Sequence, residues 1–174
     1  MRTASFLQKK SVPVRVYRSP KISYPLAQDW LLGLAEFAKI RMGQKLVPTT
    51  RLYSENLLTE STPLRRAVDD DEYHQEPHWD VILTHEKLAE KVAYSTPKHL
   101  CIVSSLKSIK NTNEAHLLGY HVLAQYFSPS CAAKKCVHQR IEDPDFFETL
   151  AIQYTLTGAI PLCDVHRDWK LFYT

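Results

Sequence analysis

Glycine is nearly absent from this chain, with 4 in 174 residues, and that scarcity narrows the folds open to it. An all-β sandwich or barrel reverses direction every 8–12 residues or so (about one tight turn per strand), and such turns draw heavily on glycine. The 10 prolines instead stand where helices start or loops bend. With 44% hydrophobic and 24% charged residues the chain is of ordinary globular composition and long enough for one core. The sequence therefore predicts a mainly α protein, with at most a small β element.

Helical stripes place the elements. Leu26, Trp30, Leu34 and Phe37 recur at helical spacing behind Pro25, predicting a helix over 26–42 that Gly43 ends. Thr84 is a candidate cap for a helix over 84–95, with Leu88 and Val92 inward. Ala115, Leu118 and Val122 form a stripe over 113–127, with Asn111 to Asn113 as cap. Asp143-Pro144 opens a helix over 144–157, ahead of Gly158. Shorter helical pieces are expected around Ser54–Thr59 and after Thr62-Pro63. The apolar run Leu100–Val103 reads as buried strand or helix, because four residues do not separate the two periods. The acidic, aperiodic stretch 69–80, which includes His74 and His78, reads as a loop. It lacks the glycine and spacing of a calcium loop, so a solvated face or a surface for a basic partner is the expectation.

Charge is uneven despite a net value of +3. Residues 1–28 carry Arg2, Lys9, Lys10, Arg15, Arg18 and Lys21, and the first acid is Asp29. Such a segment suits a basic arm for phosphate backbones, a mitochondrial targeting peptide, or an ordinary N-terminus with an edge strand over residues 12–17. The expected organisation is a basic segment 1–28 followed by one helical domain, 29–174. No apolar run approaches the roughly 18 residues of a membrane helix, and no secretory signal is visible. A cytoplasmic protein is expected (in the nucleoid, or the nucleus of a eukaryote), with the mitochondrial matrix as a minor alternative.

The densest chemistry lies in 131–166: Cys131-Ala-Ala-Lys-Lys-Cys136-Val-His138, then Cys163-Asp-Val-His166. Zinc takes four ligands in a tetrahedron and prefers thiolate and imidazole donors. Two short hooks, C-x4-C and C-x2-H, separated by a longer segment are a usual way to supply them. Lys134 and Lys135 favour the thiolate form of the flanking cysteines. Cys131, Cys136, Cys163 and His166 are therefore the candidate ligands of a structural zinc, with His138 and His121 as alternates. The competing readings are unligated core cysteines, or a disulfide or redox pair.

Ile160-Pro161-Leu162-Cys163-Asp164-Val165-His166 resembles the closing segment of treble-clef zinc fingers, including those of HNH nucleases. The C…C…CxxH arrangement over 131–166 is also similar to the zinc fingers of TniQ-type transposition proteins. That resemblance implies a structural zinc and a nucleic-acid setting. In the HNH variant it implies a metal-dependent nuclease with His138 as general base.

Elsewhere the catalytic signals are thin. His85-Glu86 opens like a zincin motif, but Leu88-Ala89 follows where the second His belongs, and His116 and His121 are five apart rather than four. No Walker motif or Gly-rich phosphate loop is present. The sequence thus predicts a non-enzymatic, nucleic-acid-associated zinc protein with DNA and other protein subunits as partners, and with neither membrane nor small-molecule cofactor. The alternatives are an HNH-like nuclease and an adaptor that binds only protein.

Overall fold

The computed structural model describes residues 10–52, 77–86, 92–95, 99–128, 131–133, 135–139 and 144–171. Its elements are β1 (Ser11–Arg18), α1 (Tyr24–Met42), β2 (Lys45–Leu52), β3 (His78–Thr84), β4 (Val92–Ser95), β5 (His99–Ser105), α2 (Thr112–Phe127), α3 (Pro144–Thr157) and α4 (Asp164–Arg167). The strands form one sheet in the order β2-β1-β3-β5-β4. β1 is parallel to β2 and β3, β3 is parallel to β5, and β4 alone runs antiparallel, against β5.

This α/β architecture corrects the mainly helical expectation. Glycine scarcity counts against folds built on tight hairpins, but parallel strands are joined by long crossovers that need no such turns. Parallel strands covered on both faces also lose the alternation that marks a half-buried strand. Every residue of β3 is buried, Trp79, Val81, Ile82 and Leu83 completely. Its first three residues, His78-Trp79-Asp80, read in sequence as the end of an acidic loop. Leu100–Val103 resolves as strand inside β5. The helix expected over 84–95 is strand at 92–95, and 87–91 lie outside the described residues. So do the expected pieces at 54–59 and after 62, and most of the acidic loop. Residues 12–17 do form strand, but β1 lies between two neighbours instead of at the sheet edge. The edges are β2, which carries Pro48, and β4; an edge strand is where proline is tolerated.

The other three helices form where their stripes placed them. Asn111 caps α2 by accepting the Glu114 amide at 2.9 Å, which satisfies one of the orphan donors of the first turn.

Two compact units are present. Unit 1 comprises residues 1–27 and 44–108 and contains the sheet; unit 2 comprises 28–43 and 109–174. In unit 1 the core is Val12, Val14, Val16, Trp79, Val81, Leu83, Leu100 and Ile102, all at most 1% exposed. In unit 2, α1 and α2 meet backbone to backbone. A Cβ added at Gly33 would strike the His116 carbonyl, and one at Gly119 the Trp30 carbonyl. Two of the four glycines are thus spent on one helix crossing, around which Trp30, Leu34, Phe37, Leu117 and Tyr120 are buried.

Candidate metal centre

The centre lies in unit 2, between the end of α2 and the start of α4. Ser128 closes α2 by donating its backbone N–H to the Ala124 carbonyl. The chain then turns through Cys131, whose sulfur accepts the Ala133 amide, and reaches Cys136 by way of Lys135 in the left-handed region at φ 63°. Cys163 is the N-cap of α4, and the His166 and Arg167 amides both fold back onto its carbonyl. That single turn brings the His166 ring to the Cys163 sulfur. The two hooks are tied directly, the Val137 amide donating to the Pro161 carbonyl at 2.9 Å.

The ligand atoms of Cys131, Cys136, Cys163 and His166 all lie within 4.8 Å of one another. Cys131 Sγ is 3.7 Å from Cys163 Sγ, Cys136 Sγ is 3.8 Å from His166 Nδ1, and Cys163 Sγ is 3.1 Å from that same nitrogen. A zinc tetrahedron with Zn–S of about 2.3 Å and Zn–N of about 2.0–2.1 Å separates its donors by about 3.5–3.8 Å. Three thiolates and one imidazole are a donor set that zinc prefers, so the geometry and the chemistry fit the same ion. This is a zinc site. Four protein donors complete the coordination shell and leave no position for a reacting water, which is the arrangement of structural zinc.

Electrostatics agree with that chemistry. Burial pushes the Cys136 thiol up to about 12. At Cys163 burial acts the same way, but hydrogen bonds from His166, Cys131 and Cys136 outweigh it and hold the thiol down to about 6. A divalent cation removes the burial penalty at Cys136, because a coordinating thiol is deprotonated outright.

The two alternate ligands flank the cluster. His121 places Nδ1 at 2.7 Å from the Val137 carbonyl, and so donates to the backbone of the first hook. Gln125 donates to the Gln139 carbonyl on the same turn, at 2.8 Å. His138 is 1% exposed and stacks on His166 with ring centroids 4.4 Å apart. Burial, then the charges of His166 and Arg41, holds His138 down to about 3, so it is neutral. Its Nδ1 is 2.9 Å from Ser128 Oγ and its Nε2 is 3.3 Å from Tyr120 OH. Both of its nitrogens are engaged in the protein interior, with neither turned to a substrate as the HNH general-base reading requires. Sequence reasoning missed Ser128, Tyr120 and Arg41, since no spacing links residues 41, 120 and 128.

The basic segment is not one surface. Arg15 is 8% exposed and sits inside unit 1, where Nε and one terminal nitrogen reach the two oxygens of Asp80 at 2.8 and 3.1 Å. His78 Nε2 lies 3.0 Å from Arg15 and 3.1 Å from Asp80. Register explains the pairing, because Arg15 on β1 stands opposite Asp80 on β3, with His78 two residues away on the same face. Arg18 donates to the Ile22 carbonyl, and Lys21 lies 3.7 Å from Glu86. Lys10 is exposed, while Arg2 and Lys9 lie outside the described residues.

No family model and no curated protein matches the chain. Among solved structures it is similar to archaemetzincin from Methanopyrus kandleri, at 12% identity and a TM-score of 0.49, over 80% of this chain and 86% of that one. The reading as a helical, nucleic-acid-associated binding protein is corrected here. The chain is an α/β protein, not a helical DNA-binding domain, and Arg15, in the middle of the basic segment, is paired with Asp80 inside the sheet. No other group of three or more metal-type ligands occurs among the described residues. No helix among them is long and apolar enough to cross a membrane.

Proposed function

We propose that this chain is a zinc-stapled α/β protein in which the metal has a folding role: Cys131, Cys136, Cys163 and His166 hold one zinc that fixes the segment after α2 to the turn at α4. The observation that supports it is the convergence of four donors, from two hooks far apart in sequence, within 4.8 Å. Residues 137–162 separate the hooks, so the metal would join two segments that lie far apart in the chain. Because the ligands must be deprotonated and the site assembles only on folding, metal affinity becomes folding free energy.

Metal analysis of protein purified without chelator tests this reading. One zinc per chain is expected. Cobalt substitution should give the intense thiolate charge-transfer and tetrahedral ligand-field bands of a site with three sulfur donors and one nitrogen. Protein that holds no zinc and melts at the same temperature with or without chelator would overturn it.

A further inference from the structure

We propose that Ser128 is the positioning residue for the zinc ligand His166, acting within a hydrogen-bonded ring that runs through His138, Tyr120 and Arg41 and returns to the backbone just after His166. The inference rests on the structural-zinc reading and extends it to side chains that touch no metal.

The chain of contacts is continuous. His166 presents Nδ1 to the sulfurs of Cys136 and Cys163, and its Nε2 lies 3.3 Å from Ser128 Oγ. Ser128 Oγ is 2.9 Å from His138 Nδ1, and His138 Nε2 is 3.3 Å from Tyr120 OH. Arg41 donates Nε–H to that phenolic oxygen at 3.0 Å. Another nitrogen of the same guanidinium donates to the carbonyls of Arg167, at 3.0 Å, and Trp169, at 2.7 Å. The Leu171 amide returns to the Arg41 carbonyl at 2.8 Å. From the ligand to the backbone just after it, the ring is closed.

Proton direction follows from the metal. An imidazole that ligates through Nδ1 carries its proton on Nε2 and can only donate there. Ser128 therefore accepts from His166, which leaves its hydroxyl hydrogen for His138 Nδ1. His138 then carries its proton on Nε2 and donates it to the Tyr120 oxygen. Zinc binding at one end thus fixes the tautomer of a second histidine that it never touches. The stack of His138 on His166, inclined by 22°, holds the two rings side by side, and Trp169 meets His138 edge-on at 5.6 Å. Packing alone would orient the His166 ring plane; the sulfurs at Nδ1 and the Ser128 oxygen at Nε2 tell its two nitrogens apart.

The experiment compares full-length wild type with Ser128→Ala, Ser128→Thr and Tyr120→Phe. Zinc affinity is read by competition with a chromophoric chelator, and imidazole tautomers by long-range nitrogen–proton NMR correlation on zinc-loaded protein. Losing an outer partner of a metal-bound histidine weakens affinity about 10–100-fold, and Ser128→Ala should fall in that range. Ser128→Thr keeps the hydroxyl and should recover most of the affinity. Tyr120→Phe, one step further along the ring, should weaken zinc less than Ser128→Ala. All variants should retain the three-thiolate cobalt spectrum and the wild-type far-ultraviolet CD spectrum at saturating zinc, which separates positioning from misfolding. Wild-type His138 should be the Nε2–H tautomer. Ser128→Ala binding zinc as tightly as wild type, or His138 protonated on Nδ1 in the loaded protein, overturns the ring while leaving the zinc reading intact. A wild type that takes up no zinc overturns the zinc reading itself.

Discussion

In unit 1 a guanidinium, a carboxylate and an imidazole are buried together between strands, and each finds its partner in the protein. In unit 2 three sulfurs and an imidazole are gathered within 4.8 Å, and the four-residue set contains no guanidinium or ammonium of its own. The Arg15–Asp80 pair is self-compensating: its charges cancel and its forked geometry satisfies both carboxylate oxygens. Three thiolates around one imidazole do not cancel, and a divalent cation is what would neutralise them. The two interiors therefore depend on different things. One is compensated by residues of the chain itself, whereas the other, on the proposed reading, is compensated by a bound zinc.

The most direct way to break that contrast is to remove a ligand. Cys136→Ser should abolish stoichiometric zinc and forfeit a large share of the binding energy, which for structural zinc is about 10–16 kcal/mol near neutral pH. Far-ultraviolet CD melting and metal analysis check it, and retention of one zinc per chain would dissolve the distinction. Cys101→Ser, on β5 in unit 1, should leave metal content unchanged.

The complementary change is Asp80→Ala, which strands the Arg15 charge in the sheet. Breaking a buried pair from one side destabilises by about 3–5 kcal/mol. Urea unfolding should show that loss, while zinc affinity stays at the wild-type value. A shift in zinc affinity would mean that the two interiors are not independent.

Smaller effects sharpen the comparison within unit 2. Gly119→Ala would press a methyl group onto the Trp30 carbonyl and push α1 and α2 apart. Overpacking of this kind costs about 1–3 kcal/mol, and it should appear as a lower melting temperature in zinc-saturated protein. Asn111→Ala removes only the α2 cap and should cost about 1 kcal/mol. Its zinc affinity, measured by chelator competition, should be unchanged.

Much of unit 2 was legible because its signals are local. The stripe of Trp30, Leu34 and Phe37, the Asn111 cap and the opening at Pro144 each specify a helix from neighbours within one turn or two. The C-x4-C and C-x2-H hooks are short-range chelates, so their chemistry can be read before any fold is known. Unit 1 hid itself for the opposite reason. Val81-Ile82-Leu83 and Leu100–Val103 are buried on both faces, and a continuous apolar run carries no period. Arg15 looked like an available cation, and Asp80 like the end of a loop, until the register of β1 against β3 placed them face to face.

What the sequence determined by itself is therefore the donor chemistry of the metal site and the helices that bracket it. Those properties depend on residue type and on spacings of a few residues. Tertiary structure alone decided the parallel sheet, the neutralisation of Arg15, and the ring from His166 through Ser128, His138 and Tyr120 to Arg41. Each of these joins residues far apart in the chain. Such contacts are set by which strands pair and which helices cross, and no local pattern records that choice.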